Sequence, residues 1–350
     1  MGVQSKRPGL LFALLLSATL AFGGPAAAAG FKVIMSGLDN PRGLAMSRDG
    51  AIYVTEAGHG GAAPCATMRG TTMCYGATGA VARLKKYVVT RVVTGLPSYA
   101  PASGNGATGP QRVCFDGAGR MFVTYGLGMD PTMRPTLGPG GANSGYLMRI
   151  AKGGVAQPVT DISGFEAANN PAGGPVDSNP FGLSCAQGGQ AVTDAGGNSL
   201  FRVASGALSL LAVFPSRPGR PTDSVPTSVV VGPDHAYYVG ELSGAPFDVG
   251  AANIYRVVPG QPAQVYLTGF TTIIDIAFAA DGSLYVLEHA SGPALSGPGV
   301  LVKVSPNGAR TTLSDALNRP TALLVGHHGA VYVTNNGTSN SGGELLRLVG

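Results

Sequence analysis

Short runs of alternating apolar and polar residues recur along the chain, and turn-forming residues flank each run. The run over residues 49–58 begins at an Asp-Gly turn, alternates from Ile52 to Thr55 and ends at Glu56. Such alternation is typical of a half-buried β-strand. Close relatives of this run occupy residues 119–125, 189–196, 237–241, 281–288 and 329–335. The pattern predicts a protein built mainly of short strands.

The residues that end these six strands are regularly spaced. They lie at positions 56, 125, 194, 241, 288 and 335, which gives intervals of 69, 69, 47, 47 and 47. A fixed period of this size indicates a repeat architecture. Each repeat divides into four strands, A to D, which in the first repeat are residues 43–46, 52–55, 80–85 and 88–94. Six such repeats predict an all-β fold, a six-bladed β-propeller with four-stranded blades.

The two ends of the chain predict how the ring of blades closes. After Asn335 only one more strand fits, at residues 344–348, so the last blade lacks its D strand. Residues 31–38 have a D-strand pattern with no blade before them. We expect this N-terminal strand to complete the last blade and remove its open edge. Residues 30–350 are therefore predicted to form a single six-bladed β-propeller domain.

Residues 1–29 have the composition of a signal peptide. Lys6 and Arg7 precede an apolar run over residues 10–22, and Ala27-Ala28-Ala29 offers a small-residue cleavage site. A membrane anchor is disfavoured because the apolar run is short and is followed by Gly23-Gly24-Pro25. We expect an exported protein, periplasmic or extracellular, with no membrane anchor after cleavage.

Composition narrows the class of partner. The chain contains 55 Gly and 26 Pro, only 12% of its residues are charged, and its formal charge is +5. Many turns and few charges agree with strands and loops rather than helices. No basic run is present, so the sequence gives no indication of nucleic-acid binding. We expect a monomer that binds a small-molecule ligand or substrate.

The four cysteines divide into two pairs of different character. Cys65 and Cys74 lie close together in a polar, Gly-rich loop, which in an exported protein favours a disulfide. Cys114 and Cys185 lie in apolar strands, where buried thiols are the preferred interpretation. No Cys/His spacing fits a zinc site.

The long connections are predicted to share one face of the propeller. In a four-stranded blade the B–C and D–A connections lie on one face, and the A–B and C–D turns on the other. The A–B turns are short, whereas all the long segments are B–C or D–A connections; they comprise residues 57–79, 97–109, 126–144, 163–178 and 215–225. Elaborated loops on one side of a rigid scaffold often carry function.

The strand-ending residues lie on this same loop face. They are Glu56, Tyr125, Asp194, Glu241, Glu288 and Asn335, so four of the six are acids. If their side chains turn toward the central channel, the carboxylates raise one another's pKa values, and a bound cation relieves the repulsion. Oxygen ligands favour Ca²⁺ or Mg²⁺. The alternative is that these side chains cap turns or pair with arginines in the C strands. Both interpretations stay open.

A second set of candidates lies at the starts of the A strands. Asn40-Pro41-Arg42-Gly43-Leu44 and Asn179-Pro180-Phe181-Gly182-Leu183 are near copies, and Asp275 holds a matching position. The third repeat gathers Asp177, Asn179, Asp194 and Asn198. Asx-turn chemistry in Gly-rich loops is the alternative explanation for this group, above all for Asn198.

The histidines divide between the two faces. His235, His327 and His328 lie in A–B turns, away from the long loops, whereas His59 and His289 lie on the loop face. The latter two could act as acid–base groups, although solvated loop residues are the favoured interpretation. Residues 104–109 match G-x-G-x-x-G, but no helix follows, so we reject dinucleotide binding.

Several of these motifs together resemble the ScyD/ScyE family. They lie at residues 37–45, 55–58, 74–79, 177–180, 194–198 and 238–242. The resemblance implies an exported propeller of the six-bladed NHL, gluconolactonase and strictosidine synthase-like kind. Named members of the family belong to exported steps in the biosynthesis of scytonemin, a cyanobacterial sunscreen pigment. Most members have no assigned activity, and fold alone does not fix function.

Gluconolactonase-type enzymes hold one divalent cation in the channel through Glu, Asn, Asn and Asp. Only Asn179 here resembles one of their ligand motifs, because Asn40-Pro41-Arg42 and Val225-Pro226-Thr227 stand where two others would be. The resemblance therefore predicts a different ligand set.

Two hypotheses follow for function. In the first, the protein is an exported metal-dependent enzyme, with a hydrolase-like or lactonase-like activity or a step of secondary metabolism, acting on a small molecule at the channel mouth. The predicted metal ligands are Glu56, Asn179, Asp194, Glu241, Glu288 and Asn335. In the second, it is a non-catalytic secreted binding or scaffold propeller whose cation is structural.

Overall fold

The computed structural model describes residues 1–2, 30–185, 188–214 and 223–349. The predicted signal peptide lies almost entirely outside these residues and stays a prediction. Most of the predicted loop at residues 215–225 also lies outside them. Among the described residues, no helix is long and apolar enough to span a membrane.

Six antiparallel sheets, five of them four-stranded and that of blade one five-stranded, confirm the predicted six-bladed propeller. The first strand along the chain is β1 (Gly30–Leu38). The strands of blades one to three are β2 (Pro41–Met46), β3 (Ile52–Glu56), β4 (Cys65–Met68), β5 (Thr71–Lys85), β6 (Val88–Ala100), β7 (Pro110–Phe115), β8 (Met121–Tyr125), β9 (Tyr146–Ile150), β10 (Ala156–Asp161), β11 (Pro180–Ser184), β12 (Gln190–Asp194), β13 (Ser199–Ala204) and β14 (Ala207–Val213). In blade one, β5 pairs with β3 and β6 and also with the additional short strand β4.

The second half of the ring repeats this order without an additional strand. Its strands are β15 (Pro226–Val231), β16 (Tyr237–Glu241), β17 (Ala252–Val257), β18 (Gln264–Phe270), β19 (Ile273–Phe278), β20 (Leu284–Glu288), β21 (Gly299–Val304), β22 (Arg310–Leu317), β23 (Leu323–Val325), β24 (Val331–Asn335) and β25 (Gly343–Val349). The helices are α1 (Ile162–Asn169) and the 3₁₀ turns Pro131–Leu137, Pro139–Gly141, Pro293–Leu295 and His327–Gly329.

The N-terminal strand is the outer strand of the last blade. β1 pairs antiparallel with β25, with Phe31 opposite Leu348 and Met35 opposite Leu345. The sheet order β1-β25-β24-β23 joins the two ends of the chain in one blade. Strand pairing thus completes the ring.

The core lies between neighbouring blades. Alternating residues of the middle strands are buried, as Val54 and Val333 are at 0% exposure, and they pack against the next sheet in line. Threonine hydroxyls bridge the same interfaces, since Thr55 Oγ1 donates to the carbonyl of Gln111 at 2.6 Å and Thr321 Oγ1 donates to that of Pro41 at 2.6 Å. Each blade is therefore fixed to its neighbour near the axis.

The long connections of blades one and two fold together over the propeller. We call residues 57–79, 97–109 and 126–144 the cap. The cap has its own small core of buried apolar side chains, which are Met68, Met73, Tyr99, Leu127, Met129 and Leu137. Strand β4, the start of β5 and the end of β6 form its frame.

All four cysteines are paired. The predicted bond between Cys65 and Cys74 is confirmed, and it lies in the cap. The interpretation of Cys114 and Cys185 as buried thiols was wrong, because they form a second disulfide. The two are 71 residues apart in sequence, but β7 and β11 are innermost strands of adjacent blades and run side by side.

Candidate functional site

The six strand-ending residues lie at the ends of β3, β8, β12, β16, β20 and β24. The side chains of the four acids are largely buried, since Glu56, Asp194 and Glu241 are 0% exposed and Glu288 is 8% exposed. Tyr125 is buried as well, and its hydroxyl has no hydrogen-bond partner among the residues that the structure describes. The positions are thus equivalent, and what their side chains contact decides their role.

Each acid accepts a hydrogen bond from its own blade. Glu56 Oε2 accepts from the amide of Asp39, Glu288 Oε1 from that of Thr271, and Asp194 Oδ1 from that of Asn179. The acceptor lies 17, 17 and 15 residues after the donor. These donors lie in the D–A connection just before the innermost strand, so the acids cap that connection.

The other two polar positions make related contacts. Glu241 accepts from the Ser224 hydroxyl at 2.6 Å and from the Asn253 amide at 2.8 Å. Asn335 Oδ1 accepts from the Asn318 amide at 2.7 Å. Turn capping, the alternative left open by the sequence, therefore describes the contacts of five of the six positions.

The structure does not bring the predicted ligands together. The described residues contain no group of three or more His, Cys, Asp or Glu that could hold a metal ion. Asn179 Oδ1 accepts from the Leu127 amide at 3.2 Å. The assignment of the strand-ending residues as metal ligands therefore stays a prediction.

The centre of the channel carries positive rather than negative charge. Arg112 and Asp275 form an ion pair with 3.0 Å between Nη1 and Oδ2. Arg42 is also buried and donates to the carbonyls of Ala107 at 2.7 Å and Gly337 at 2.8 Å. Among the described residues, no carboxylate pairs with Arg42. Two guanidinium groups against one carboxylate do not fit a divalent cation on the axis.

The innermost strands enclose a cavity beside this ion pair. Its volume is about 250 Å³, and its lining includes Leu44, Val113, Leu183, Ser228, Asp275 and Leu323, one residue from each of the six innermost strands. These side chains are mostly apolar. Arg112 and Asp275 form its polar end.

The two histidines of the loop face have different environments. His289 is 8% exposed, and its Nδ1 lies 2.9 Å from the carbonyl oxygen of Pro320. Burial lowers the pKa of His289 to about 4, so its ring is neutral at pH 7. The favoured interpretation of His289 as a solvated loop residue was wrong, because the following connection covers it.

His59, in contrast, is exposed and held by a carboxylate. Its Nδ1 lies 3.1 Å from Asp39 Oδ2, and the side chain of His59 is 43% exposed. Asp39 is fixed in turn, because its Oδ1 accepts from the amide of Ser341 at 2.9 Å and from the Ser341 hydroxyl at 3.1 Å. A carboxylate on Nδ1 selects the tautomer that leaves Nε2 as the free base.

A pocket of about 600 Å³ lies beside His59 on the loop face. Its other lining side chains include Tyr75, Thr78, Pro101 and Asn340. Glycines let two cap segments approach closely at its wall, since a Cβ on Gly76 would be 1.9 Å from the carbonyl oxygen of Gly60. The cap thus forms a concave surface with one histidine in it.

Glu56 connects the repeat to this pocket. Arg91 binds both of its carboxylate oxygens, at 2.9 and 2.8 Å, and Glu56 receives the amide of Asp39. This ion pair raises the pKa of Arg91. Glu56 therefore positions Asp39, and Asp39 positions His59. Glu56 and His59 were candidates on sequence grounds, whereas Asp39 was not, because no sequence pattern indicates that it contacts His59.

A second group of polar side chains lies at the end of β12. Asp194 accepts from the Ser178 hydroxyl and from three amides, those of Asn179, Gly196 and Gly197. Glu166 of α1 is 1% exposed, and within the described part of the chain its Oε2 has no hydrogen-bond partner. Burial, followed by the charges of Asp194 and Asp177, raises the pKa of Glu166 to about 7. The sequence motifs of blade three include Asp177, Asn179, Asp194 and Asn198 but not Glu166, which no motif marks.

Asn198 has the turn role that the alternative interpretation gave it. Its backbone is left-handed, with φ of 49°, and its Oδ1 accepts from the Val225 amide at 2.9 Å. Asp177 pairs with Arg69 at 2.5 Å.

Comparison with known proteins places the fold in a defined class. No protein-family model and no curated protein sequence matches the chain. Among solved structures, a catalytically inactive histidine-to-alanine variant of virginiamycin B lyase from Staphylococcus aureus with quinupristin shares 16% identity at a TM-score of 0.52, over 91% of this chain and 88% of that one.

Two further structures have the same fold. A putative gluconolactonase shares 12% identity at a TM-score of 0.55, over 92% of this chain and 93% of that one. Regucalcin from Agrobacterium tumefaciens, a calcium-binding protein, shares 13% identity at a TM-score of 0.52, over 92% and 93%. At these identities the likeness shows the six-bladed propeller fold.

Proposed function

We propose that the protein is an exported six-bladed propeller that binds a small carbonyl compound, an ester or lactone, in the pocket beside His59 and hydrolyses it. The observation that carries the proposal is the Asp39–His59 pair, 3.1 Å apart, at the edge of a 600 Å³ pocket. An exposed imidazole with its second nitrogen held by a carboxylate is the arrangement of a general base.

The chemistry requires only this histidine and water. His59 Nε2 takes a proton from water as the water oxygen bonds to the carbonyl carbon. The bond from that carbon to the alkoxy or ring oxygen then breaks, and the same nitrogen returns the proton to the departing oxygen. Asp39 stabilises the imidazolium that forms between the two steps. General-base catalysis of this kind contributes about 10²–10⁴-fold in rate.

The comparisons support this choice of chemistry by analogy. One structure of the same fold is described as a putative gluconolactonase, and another as a lyase made catalytically inactive by replacing a histidine. The present chain brings one exposed histidine to the loop face. Its position in a pocket distinguishes it from the buried His289.

We further propose that the protein is exported, that it belongs to the ScyD/ScyE family and that it binds a divalent cation. Both disulfides agree with an oxidising compartment, and residues 1–29 supply the expected leader. Membership of the ScyD/ScyE family is proposed on the motifs given above. A divalent cation, Ca²⁺ or Mg²⁺, is part of the proposal in a structural role. Regucalcin, of the same fold, is described as calcium-binding.

The test is hydrolysis of p-nitrophenyl acetate and of dihydrocoumarin by the purified mature chain. We expect turnover above the buffer rate, with kcat reduced at least tenfold in Asp39→Asn and KM nearly unchanged, because Asp39 acts through His59. Asp234→Asn, which removes a carboxylate from a turn on the opposite face, is the matched control. Hydrolysis no faster than buffer in the wild type would contradict the catalytic part of the proposal.

One set of observations favours a second candidate, a non-catalytic binding or scaffold propeller. The strand-ending acids are occupied by capping hydrogen bonds, and the cavity at the channel centre has the Arg112–Asp275 ion pair at its polar end. Binding of an ester analogue without turnover, unaffected by Asp39→Asn, would favour this candidate.

A further inference from the structure

The C strands of the propeller repeat a basic residue whose electrostatic partner differs from blade to blade. In five blades this residue pairs across the sheet with an aromatic residue of the B strand. The pairs are Tyr53 with Arg83, Phe122 with Arg149, Tyr238 with Arg256, Tyr285 with Lys303 and Tyr332 with Arg347. The positions are therefore structurally equivalent, and the surroundings of each cation decide what it can bind.

In blades four and five, an acid of the A–B turn neutralises this cation. Arg256 Nε lies 2.7 Å from Asp234 Oδ2, and Lys303 Nζ lies 3.5 Å from Asp281 Oδ2. Each pair lies within one blade. In these blades the repeated cation is part of the scaffold.

In blades one and two, a different cation binds the acid of that turn. Asp49 pairs with Lys85 in blade one, and Arg120 Nε lies 2.6 Å from Asp116 Oδ2 in blade two. The turn acid of each blade is therefore already neutralised by a cation other than the repeated arginine.

The repeated arginines of blades one and two lack a counter-ion. Among the described residues, neither Arg83 nor Arg149 forms an ion pair, and Arg149 donates to the uncharged side chain of Gln157 at 2.5 Å. Arg83 Nε is buried and has no hydrogen-bond partner within the described part of the chain. A charged donor that is buried without an acceptor costs free energy. Both guanidinium groups are thus available to an anion.

Both arginines line one cleft between blades one and two. Its volume is about 560 Å³, and it lies on the face of the A–B and C–D turns, opposite the cap. Arg120 and Lys152 line it as well, and the described residues that line it include no Asp or Glu. A cleft lined by charges of one sign focuses their field and attracts the opposite charge.

The walls of this cleft are largely apolar. The rings of Tyr53 and Phe115 lie 4.8 Å apart between centroids, edge to face, and Val92, Met121 and Ile150 lie beside them. All five side chains are partly exposed rather than enclosed in the core. Apolar walls with a few charged groups are the usual composition of a small-molecule site.

We propose that the cleft binds a small organic anion, with a phosphate or carboxylate group held by Arg83 and Arg149 and an aromatic body against Tyr53 and Phe115. Guanidinium groups bind both oxyanions through paired N–H donors, and Lys152 adds a third positive charge. The inference goes beyond the proposed function. The His59 pocket lies on the opposite face, so either site can fail without the other.

The test is calorimetric titration of the purified mature chain with 1-naphthyl phosphate and with 1-naphthoate, which show which oxyanion is preferred. We expect binding that weakens as NaCl is raised, because salt screens the charges. Inorganic phosphate, which lacks the ring, and 1-naphthol, which lacks the charge, should bind more weakly. No binding of either naphthyl anion at millimolar concentrations, or equal affinity for inorganic phosphate or 1-naphthol, would overturn the proposal.

Three variants separate the cleft from general surface charge. Arg83→Gln and Arg149→Gln should each weaken binding of the preferred naphthyl anion about tenfold or more, because each removes a charged hydrogen-bond donor. Arg256→Gln makes the same change of charge at the equivalent position of blade four, where Asp234 already binds the arginine. This matched control should leave the affinity unchanged.

Folding of the variants is checked by thermal unfolding. Neither Arg83 nor Arg149 has an ion pair to lose within the described residues, so both variants should melt close to the wild type. Equal weakening in all three variants would indicate non-specific attraction to a basic surface and overturn the site. Unchanged affinity in Arg83→Gln and Arg149→Gln would overturn it as well.

Discussion

Blades one to three and blades four to six are built from the same four strands, but they differ in what lies above them. Successive strand-ending residues are 69 positions apart between Glu56 and Asp194, and 47 positions apart between Asp194 and Asn335. The 22 additional residues in each long interval supply much of the cap and α1. Both disulfides, the His59 pocket and the acidic group around Glu166 lie in this elaborated half.

The repeated acids perform the same task in both halves. Glu56 in blade one and Glu288 in blade five each accept the amide of the residue 17 positions earlier. The strand-ending acid is therefore part of the scaffold. The two acids differ in the residue that they cap. Glu56 caps Asp39, which contacts His59, whereas Glu288 caps Thr271, which contacts no proposed catalytic group.

The largest effect is expected from opening the ring of blades that both halves share. Deleting residues 31–36 takes away most of β1 and exposes the edge of β25. We expect aggregation or loss of cooperative unfolding, measured by size-exclusion chromatography and circular dichroism. A chain that begins at Gly30 is the control. Retention of the full melting temperature after the deletion would contradict closure by β1.

Removal of the disulfides is expected to give the next largest effect. It compares the propeller, which holds the Cys114–Cys185 bond, with the cap, which holds the Cys65–Cys74 bond. Replacing Cys114 and Cys185 with Ala opens a loop of 71 residues, for which chain entropy predicts a loss of about 4 kcal/mol. Replacing Cys65 and Cys74 opens a loop of only 9 residues, for which the same relation gives about 2.5 kcal/mol. Urea unfolding measures both losses, and an equal loss would contradict this ranking.

Replacing the two equivalent acids compares the halves directly. Glu56→Ala and Glu288→Ala each leave an amide unsatisfied, that of Asp39 partly buried and that of Thr271 buried, so each should cost about 1 to 3 kcal/mol in the free energy of unfolding. Only Glu56→Ala should also reduce hydrolysis, because Asp39 loses its support. Equal activity in the two variants would show that the position of Asp39 does not depend on Glu56.

The last comparison concerns His289 in blade five, where no effect is expected at neutral pH and the difference appears only on acidification. The folded protein holds His289 neutral, with its pKa lowered to about 4 from 6.5. The stability from this group is fully present above pH 6.5 and is lost as the pH falls toward 4, because the unfolded chain binds the proton first. Thermal unfolding of His289→Gln should show a weaker dependence over this range, with His327→Gln as the control.

The sequence was sufficient for the fold because period and alternation are local properties. The spacing of Glu56, Asp194 and Glu288 predicted six blades, and the structure has six. Individual side-chain contacts between distant residues could not be predicted: the Cys114–Cys185 bond joins adjacent blades, and Asp39 reaches His59 only when the D–A and B–C connections of blade one fold together. Glu166 belongs to no sequence motif, because its raised pKa arises from burial beside Asp194 and Asp177.

The most direct test of the account is the hydrolysis of p-nitrophenyl acetate by His59→Gln and His327→Gln, measured side by side. Both residues are histidines on the surface, one in the cap pocket and one in a turn of the opposite face. The account predicts that His59→Gln lowers kcat/KM about 100-fold or more and that His327→Gln leaves it unchanged. Equal activity in the two variants would contradict the assignment of function to the elaborated half.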